Sequence, residues 1–331
     1  MKVTRFGWLA ALSALLLFAA ACSGTDQGAA EPTADAAADD AGGGENSDIT
    51  IGMVTHGDGG GFWSVAKAGA EQAAADLGVS LNYQESNNDP QAQAQLIESA
   101  VSAGIDGLAV SAPNPEAIQD AVAAATSAGI PVITLNSGLG EISGAMTHVG
   151  QTEDIAGQGA GERLAAEGAT NLLCVIHEEG NIGLQQRCDG ARETFGGDVE
   201  DFNVSGTGDV AATLTEIQSK LESDTSINAV LALNPDIAVA AVDAVAGAGS
   251  EAVLATFDLS GDVIQGIIDG DILFAVDQQQ YLQGYLPVVM LYLNVTNANT
   301  VGGGLPVLTG PGFVDASNAE QVQALTEAGT R

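Results

Sequence analysis

Positive charge is scarce in this sequence. Its 331 residues include 8 lysines and arginines against 43 aspartates and glutamates, which gives a formal net charge of −35 at pH 7. Nucleic acids and anionic lipid surfaces are poor partners for such a field, so we expect no nucleic-acid partner. Aromatic residues make up only 4% of the chain, so its core has to consist mainly of alanine, valine, isoleucine and leucine.

The motifs of nucleophilic, nucleotide-dependent and zinc-dependent catalysis are missing as well. The chain has no G-x-S-x-G elbow, no phosphate-binding P-loop and no H-E-x-x-H pair. The glycine-rich loop at 57–61 fails the dinucleotide spacing because Phe62 occupies its sixth position. His56, His148 and His177 are far apart and never at metal-ligand spacing, so we interpret them as structural. We therefore predict a protein that is not an enzyme, with no cofactor or metal, and keep an exported hydrolase as the enzyme alternative.

The first residues carry an export signal. Two basic residues precede an apolar run and a small-residue stretch that ends before Cys22, as in a secretory signal peptide. The segment around Cys22 resembles a bacterial lipoprotein lipobox, except that Ala19 stands where leucine is usual. We predict a lipoprotein signal peptide with its anchor cysteine at 1–22, and a membrane-anchored location on the extracytoplasmic face. The alternative is ordinary cleavage without lipidation.

Residues 23–47 consist of small and acidic residues with no large apolar side chain. Such a composition cannot bury enough surface to order itself, so we predict a disordered linker. From residue 48 to 135, strand-like and helix-like segments alternate, and the alternation restarts after residue 146 and runs to 257. This pattern predicts an α/β fold of two doubly wound parallel-sheet lobes.

Polar side chains follow two apolar runs in the last third of the chain. Val253 to Phe257 leads into Asp258, and a second apolar run leads into Asp277 and three glutamines. Ligands of open α/β sheets bind at the carboxyl ends of the strands, and carboxylates and amides are suited to holding hydroxyl groups. For Asp258 alone, a helix N-cap is the competing interpretation.

Two cysteines, Cys174 and Cys188, lie in the part predicted to fold. An exported chain favours a disulfide between them. Cys174 falls in a predicted strand and Cys188 near a predicted helix start, so the geometry can also forbid the bond and leave two buried thiols. The sequence leaves both interpretations open.

Several segments carry a family likeness. These are AGIDGLAVSAPNPEAIQDAV, SAGIPVITLNS, HVGQTEDIAGQGAGERLA, TFDLSGDVIQGIIDGDILFAVDQQQYLQGYLPV and GPGFV. Together they resemble the sugar-binding proteins of bacterial ABC importers, the type 1 periplasmic binding proteins, and most closely the ribose- and galactose-binding branch. The resemblance implies two lobes joined by a three-strand hinge. It places the N-terminal lobe at 48–148 and 279–308, and the C-terminal lobe at 149–278 and 309–331.

The resemblance also implies the ligand-binding residues. They are Asp58, Phe62, Trp63, Asn136, Arg187, Asn234, Asp258 and Gln278. Asp209 is a further candidate, because it lies in the loop before a predicted helix. The two rings would stack on the C–H face of a sugar, and the arginine fork would bridge vicinal hydroxyls. Where the family often has aspartate and arginine, this chain has Asn136 and Ser137, which argues against ribose itself.

The function implied is capture of a monosaccharide or polyol between the lobes by hinge closure. The resemblance makes the chain the substrate-binding lipoprotein of an ABC importer, a monomer that delivers its ligand to the permease. The alternative on the same fold is a sensor or signal-molecule binder, for example of an autoinducer-type furanosyl compound.

Overall fold

Two six-stranded sheets organise the chain, and the computed structural model describes residues 48–331 of it. The first sheet contains β1 (Thr50–Thr55), β2 (Ser80–Glu85), β3 (Gly107–Ser111), β4 (Val132–Asn136), β5 (His148–Gly150) and β11 (Val307–Leu308). The second contains β6 (Asn171–Ile176), β7 (Asp198–Asn203), β8 (Ala229–Ala232), β9 (Val253–Phe257), β10 (Phe274–Asp277) and β12 (Gly312–Asp315). The strand orders are β11-β5-β4-β3-β1-β2 and β12-β10-β9-β8-β6-β7.

Helices cover both sheets. The first lobe has α1 (Gly61–Leu77), α2 (Pro90–Ser102), α3 (Pro115–Ser127) and α9 (Gln280–Asn297). The second has α4 (Glu153–Ala166), α5 (Ile182–Phe195), α6 (Val210–Ser223), α7 (Pro235–Ala248), α8 (Gly261–Asp269) and α10 (Ala319–Glu327). No helix within residues 48–331 has the length and apolar character needed to cross a bilayer.

The strands are parallel except where β12 runs antiparallel to β10. Central strands such as β3 and β8 are buried along their whole length, because helices cover both faces of the sheet. Asn114 and Asn234 begin α3 and α7 as side-chain caps, each followed by proline at the first helical position. The carboxyl ends of both sheets therefore lead into short, well-defined loops.

The chain passes between the sheets after β5, after β10 and after β11. Hydrogen bonds tie these crossovers together. The Thr309 amide donates to the Gly150 carbonyl at 2.7 Å, and the Gln279 side chain donates to the Thr309 carbonyl at 2.6 Å. Asp277, fully buried at the second crossover, accepts from the Arg331 guanidinium at 2.7 and 2.8 Å. The crossovers thus form one hydrogen-bonded hinge.

The predicted α/β fold with two doubly wound lobes is confirmed. Some element bounds differ from those expected. Helix α5 begins at Ile182, so Cys188 lies more than one turn inside it and not near its start, as we expected. The short strand β5 was not predicted, because its three residues make too brief an apolar run. The predicted signal peptide, the anchor Cys22 and the linker lie outside the described residues.

Cys174 of β6 and Cys188 of α5 form a disulfide, with Cα atoms 5.9 Å apart. That separation is within the range that an unstrained bridge allows. Both cysteines are fully buried between the second sheet and α5. The bond therefore fastens the helix that carries Arg187 to the sheet beneath it.

Candidate functional site

A polar cavity of about 420 Å³ lies between the two lobes, at the carboxyl ends of the strands. The lining includes eight of the nine predicted ligand-binding residues: Asp58, Phe62, Trp63, Asn136, Arg187, Asn234, Asp258 and Gln278. The ninth, Asp209, is exposed and caps α6 through a hydrogen bond from the Ala212 amide at 3.0 Å. The structure does not bring Asp209 into this cleft, since the cap holds it at the surface.

Two aromatic rings form one wall of the cleft. Phe62 and Trp63 occupy the first turn of α1, are buried, and meet edge to face with ring centroids 5.0 Å apart. Trp63 also meets the His56 ring at 4.8 Å. Because the loop before α1 is glycine-rich, the helix begins at Gly61 and turns both rings toward the cavity. The result is an apolar, rigid surface suited to the C–H face of a ring.

A hydrogen-bonded chain of polar side chains crosses from one lobe to the other. The Asn136 amide donates to Gln278 Oε1 and to Gln283 Oε1, both at 3.3 Å. Gln278 Nε2 in turn donates to Asp258 Oδ1 at 2.8 Å. Ser137 Oγ lies 3.0 Å from Asn136 Oδ1. All of these groups are buried, so their orientations are fixed before any ligand arrives.

The backbone is left-handed at two matching places in the two lobes. Asn136 ends β4 with φ 61°, and Asp258 follows β9 with φ 69°. This region is unfavourable for most side chains, and asparagine and aspartate are among the few that tolerate it. Residues held in such conformations cluster at ligand sites. The bend turns each polar side chain from its strand end into the cleft.

Arg187 is buried and forms an ion pair with Glu153. Its Nε donates to Glu153 Oε2 at 2.6 Å and its Nη2 to Glu153 Oε1 at 3.0 Å, in a bidentate pair. Its guanidinium also lies over the Phe257 ring at 4.5 Å. Gln151 donates to Glu153 Oε2 at 2.8 Å and completes the support. Glu153, which was not among the predicted site residues, therefore neutralises and orients the one arginine of the cavity lining.

Asp258 carries a carboxyl group that is buried from solvent. Burial raises its pKa to about 7, against the opposing effects of Arg187 and of the hydrogen bond from Gln278. The group is therefore close to half ionised at neutral pH. A ligand hydroxyl that donates to it favours the ionised form, since charge-assisted hydrogen bonds are the stronger ones.

His56 belongs to the site, although we interpreted it as structural. Ser111 Oγ accepts from the His56 backbone amide at 2.9 Å and from Gln93 Nε2 at 3.4 Å, so its own proton goes to His56 Nδ1 at 2.7 Å. We therefore assign the ring proton to Nε2, which points at Glu178 Oε2 of the other lobe from 3.6 Å. Burial lowers the pKa of His56 despite the nearby Glu178, which leaves the ring neutral at pH 7.

Glu178 stands between two histidines. His177 Nε2 is 3.8 Å from one carboxylate oxygen, and Asn181 donates to the other at 2.7 Å. Burial raises the pKa of Glu178, but His177, His56 and the hydrogen bond from Asn181 together hold the pKa below its usual value. The buried Nδ1 of His177 has no hydrogen-bond partner, so it is free for a ligand in the cleft.

Further contacts join the lobes at the rim. Asp58 Oδ1 accepts from the Gly60 amide at 2.9 Å, and its Oδ2 accepts from the Thr207 hydroxyl of the second lobe. The Ile182 amide donates to the Pro113 carbonyl at 3.1 Å. Asn234 uses its side-chain oxygen to cap α7, which leaves its amide hydrogens for the cavity. The structure is thus a closed arrangement, in which hydrogen bonds join the two lobes at the rim of the cleft.

The strand-end rule could have found the missed residues. His56 follows β1 directly and His177 follows β6, just as Asp258 follows β9. Glu153 begins a helix at a crossover, and no local pattern separates it from an ordinary first-turn carboxylate. In residues 48–331, no group of three or more histidine, cysteine or carboxylate side chains is arranged to hold a metal ion.

Two doubly wound lobes around a polar cleft, joined by three crossovers, define a hinged ligand-binding protein. The chain belongs to the periplasmic binding proteins: the family model described as "Periplasmic binding protein domain" matches residues 51–299. This is a family of binding proteins, not of enzymes, and its members act outside the cytoplasm. The predicted family is therefore confirmed.

Individual relatives support the same family assignment. The ribose import binding protein RbsB of Haemophilus influenzae is 30% identical over 235 residues, which cover 69% of this chain and 79% of that protein. A carbohydrate transporter from Acidothermus cellulolyticus, solved in complex with myo-inositol, is 43% identical. The match covers 86% of this chain and 99% of that one, with a TM-score of 0.83.

Proposed function

We propose that this protein is the extracytoplasmic substrate-binding component of an ABC importer and captures a neutral monosaccharide or cyclitol between its lobes. The observation that carries the proposal is the cleft itself. Phe62 and Trp63 face the network of Asn136, Gln278 and Asp258 across a cavity of about 420 Å³. A flat ring with an apolar face and a rim of hydroxyls satisfies both sides.

The charges in the lining argue for a neutral ligand. Asp58, Glu178 and Asp258 line the cavity, while the one arginine there is already paired with Glu153. A sugar acid or sugar phosphate would bring a further negative charge into a buried site without a free cation, which is strongly unfavourable. Hydroxyl groups can instead donate to the carboxylates and accept from Arg187 and Asn234.

The relatives support the same ligand class. The names of the curated relatives include ribose import and xylose/arabinose binding, and the 43% identical structure holds myo-inositol. Asn136 and Ser137 replace the aspartate and arginine that we expected for plain ribose. We therefore place cyclitols and pentoses other than ribose first among the candidate ligands.

We also propose the remaining features of the architecture. The eight predicted residues in the cleft bind the ligand, and Asp209 does not take part. The lobes comprise 48–148 with 279–308 and 149–278 with 309–331, and they close as rigid bodies about the hinge. The chain acts as a monomer, carries out no chemistry on its ligand, and is anchored to the membrane through lipidated Cys22.

A thermal-shift screen followed by calorimetry tests the proposal. The panel contains myo-inositol, ribose, xylose, arabinose and allose, with gluconate, ribose 5-phosphate and two amino acids as controls. Ligand at a hundred times its dissociation constant stabilises by about 2.7 kcal/mol, a shift of roughly 5 °C for a domain of this size. Binding of an acidic or phosphorylated compound, with none of a neutral polyol, would contradict the proposal.

Variants give this screen a matched control. Asp258→Asn removes the carboxylate from the cleft, whereas Asp271→Asn changes an exposed aspartate in the turn after α8. We expect the first to lose affinity for the polyol and the second to behave as the parent. Capture of a membrane permease on the closed protein would support import, and capture of a receptor alone would favour the sensor alternative.

A further inference from the structure

A second cavity of about 340 Å³ adjoins the cleft. His56, Glu178 and Asn181 line both cavities and so form the wall between them. One side of the second cavity comes from the first-lobe loops after β2 and β3, and the other from residues 178–181 of the second lobe. It lies between the lobes, as the cleft does.

A buried polar group at this cavity lacks a partner. Ser86 is 5% exposed, and its hydroxyl makes no hydrogen bond. Gln93, which is 1% exposed, lines the same cavity, and its Nε2 donates to the Ser111 carbonyl at 2.8 Å. A buried polar group without a partner is unfavourable, so an occupant with hydroxyls would stabilise the site.

In the wall between the cavities, His56 and Glu178 are not in close contact. His56 Nε2 lies 3.6 Å from Glu178 Oε2, beyond normal hydrogen-bond distance. Because the ring proton sits on Nε2, the wall offers a donor that no protein atom takes up at close range. An ether oxygen that passes beside His56 could accept this proton while the groups on its two sides occupy the two cavities.

We infer that the second cavity is a subsite for an O-linked, hydroxylated substituent of the ligand. The substrate would then be a disaccharide-sized glycoside of the polyol or sugar that the cleft holds. Its bridging oxygen accepts from His56, and a hydroxyl of its second ring pairs with Ser86. This inference rests on the proposed function and specifies the ligand class further.

Calorimetry with paired probes tests the subsite. The parents are myo-inositol, xylose, arabinose and glucose, and their glycosylated forms are galactinol, xylobiose, arabinobiose and the glucose disaccharides. We expect at least one glycosylated probe to bind the wild-type protein as tightly as its parent or more tightly. Binding of a parent without any of its glycosylated forms would overturn the inference and leave the proposed function intact. If neither parents nor glycosylated forms bind, both fail together.

Variants then assign the binding to the second cavity. Ser86→Leu fills the second cavity. We expect this variant to lower the affinity for the glycosylated probe by at least about tenfold through overpacking, while the affinity for the parent changes by less than about twofold. Ser86→Ala cannot overpack the cavity. It should lower the affinity for the glycosylated probe by about fivefold, which corresponds to the loss of one neutral hydrogen bond. Ser99→Leu, on the exposed face of α2, is the control and should change neither affinity. Equal effects of both Ser86 variants on parent and glycoside, or no effect on either, would contradict the subsite.

Discussion

The two lobes contribute different chemistry to one cleft. The first lobe supplies the Phe62 and Trp63 rings and the neutral amide of Asn136. The second lobe supplies the buried charges, namely Arg187 with its partner Glu153, and Asp258. An apolar face tolerates any ring that lies flat on it, whereas buried charged groups accept only a ligand whose hydroxyls satisfy them.

The two lobes also differ in the contacts that position their site residues. The second-lobe groups are positioned by their own lobe, since Glu153 on α4 orients Arg187 on α5 and the disulfide fixes α5 to the sheet. Asn136 of the first lobe is positioned by Gln278 and Gln283 at and beyond a crossover, so its orientation depends on the hinge. We expect specificity to reside mainly in the second lobe, and coupling to closure mainly in the first.

The largest effect is expected from breaking the charged pair of the second lobe. Arg187→Ala leaves Glu153 as an uncompensated buried charge, so we predict loss of binding together with a stability loss of about 3–5 kcal/mol in urea unfolding. Arg192→Ala removes an exposed arginine of the same helix and should cost at most about 1 kcal/mol.

A double variant separates the two roles of Arg187. Arg187→Met with Glu153→Leu replaces the pair by apolar side chains and should recover most of the stability without any binding. If the double variant stayed as unstable as Arg187→Ala, the buried-charge explanation would be wrong. If it bound ligand normally, Arg187 would not contact the ligand.

The next effect concerns pH. Since the pKa of Asp258 is about 7 and the ligand favours its ionised form, affinity should rise with pH and gain about a hundredfold between pH 5 and 8. Asp258→Asn should flatten the profile measured by calorimetry. A wild-type affinity that is constant over this range would exclude Asp258 as an acceptor of ligand hydroxyls.

The ligand-free protein should respond to pH in the opposite direction. A carboxyl whose folded pKa is raised from 3.8 to about 7 contributes stability that is present below pH 3.8 and is lost as pH rises through 7. Relative to Asp258→Asn, the wild-type free energy of unfolding should therefore fall between pH 4 and 8. Parallel curves for the two proteins would contradict the burial of an ionisable Asp258.

Changing the apolar face of the first lobe should have a smaller effect. Trp63→Leu keeps an apolar side chain but removes the ring, and we predict an affinity loss of about tenfold, the value of one ring-stacking contact. Trp63→Phe retains a ring and should lose less. Equal losses in both variants would show that the ring itself does not contact the ligand.

The smallest effect is expected for a contact that forms only on closure. Thr207→Val removes the hydrogen bond to Asp58 across the lobes, which should weaken binding by about fivefold through faster ligand release. Thr215→Val, an exposed threonine of α6, is the matched control. A change confined to the association rate, measured by stopped flow, would contradict a role in holding the closed form.

Local sequence patterns were sufficient for the repeating part of the fold. Most of the parallel strands, their order along the chain and the polar residues at the ends of β9 and β10 could be predicted, because each depends on neighbouring residues. Family resemblance added the rings of Phe62 and Trp63, together with Asn136, Arg187 and Asn234. Asp209 was placed in the site because it precedes a helix, and the structure shows that it caps that helix at the surface.

The features of the site that could not be predicted from the sequence depend on contacts between distant segments. Glu153 is recognisable as the partner of Arg187 only when α4 and α5 are packed together. Likewise, His56 and Glu178 are 122 residues apart in the chain (178 − 56) and meet only across the closed lobes. The disulfide was left open because the predicted start of α5 was one turn too late.

The most direct test of the account asks whether the ligand needs both lobes. Calorimetry with the polyol selected by the screen would compare wild type, Trp63→Leu of the first lobe and Arg187→Lys of the second. We predict that each substitution alone weakens binding by about tenfold or more, because the closed cleft holds the ligand from both sides. Wild-type affinity in either variant would contradict this, since the ligand would then be bound by one lobe alone.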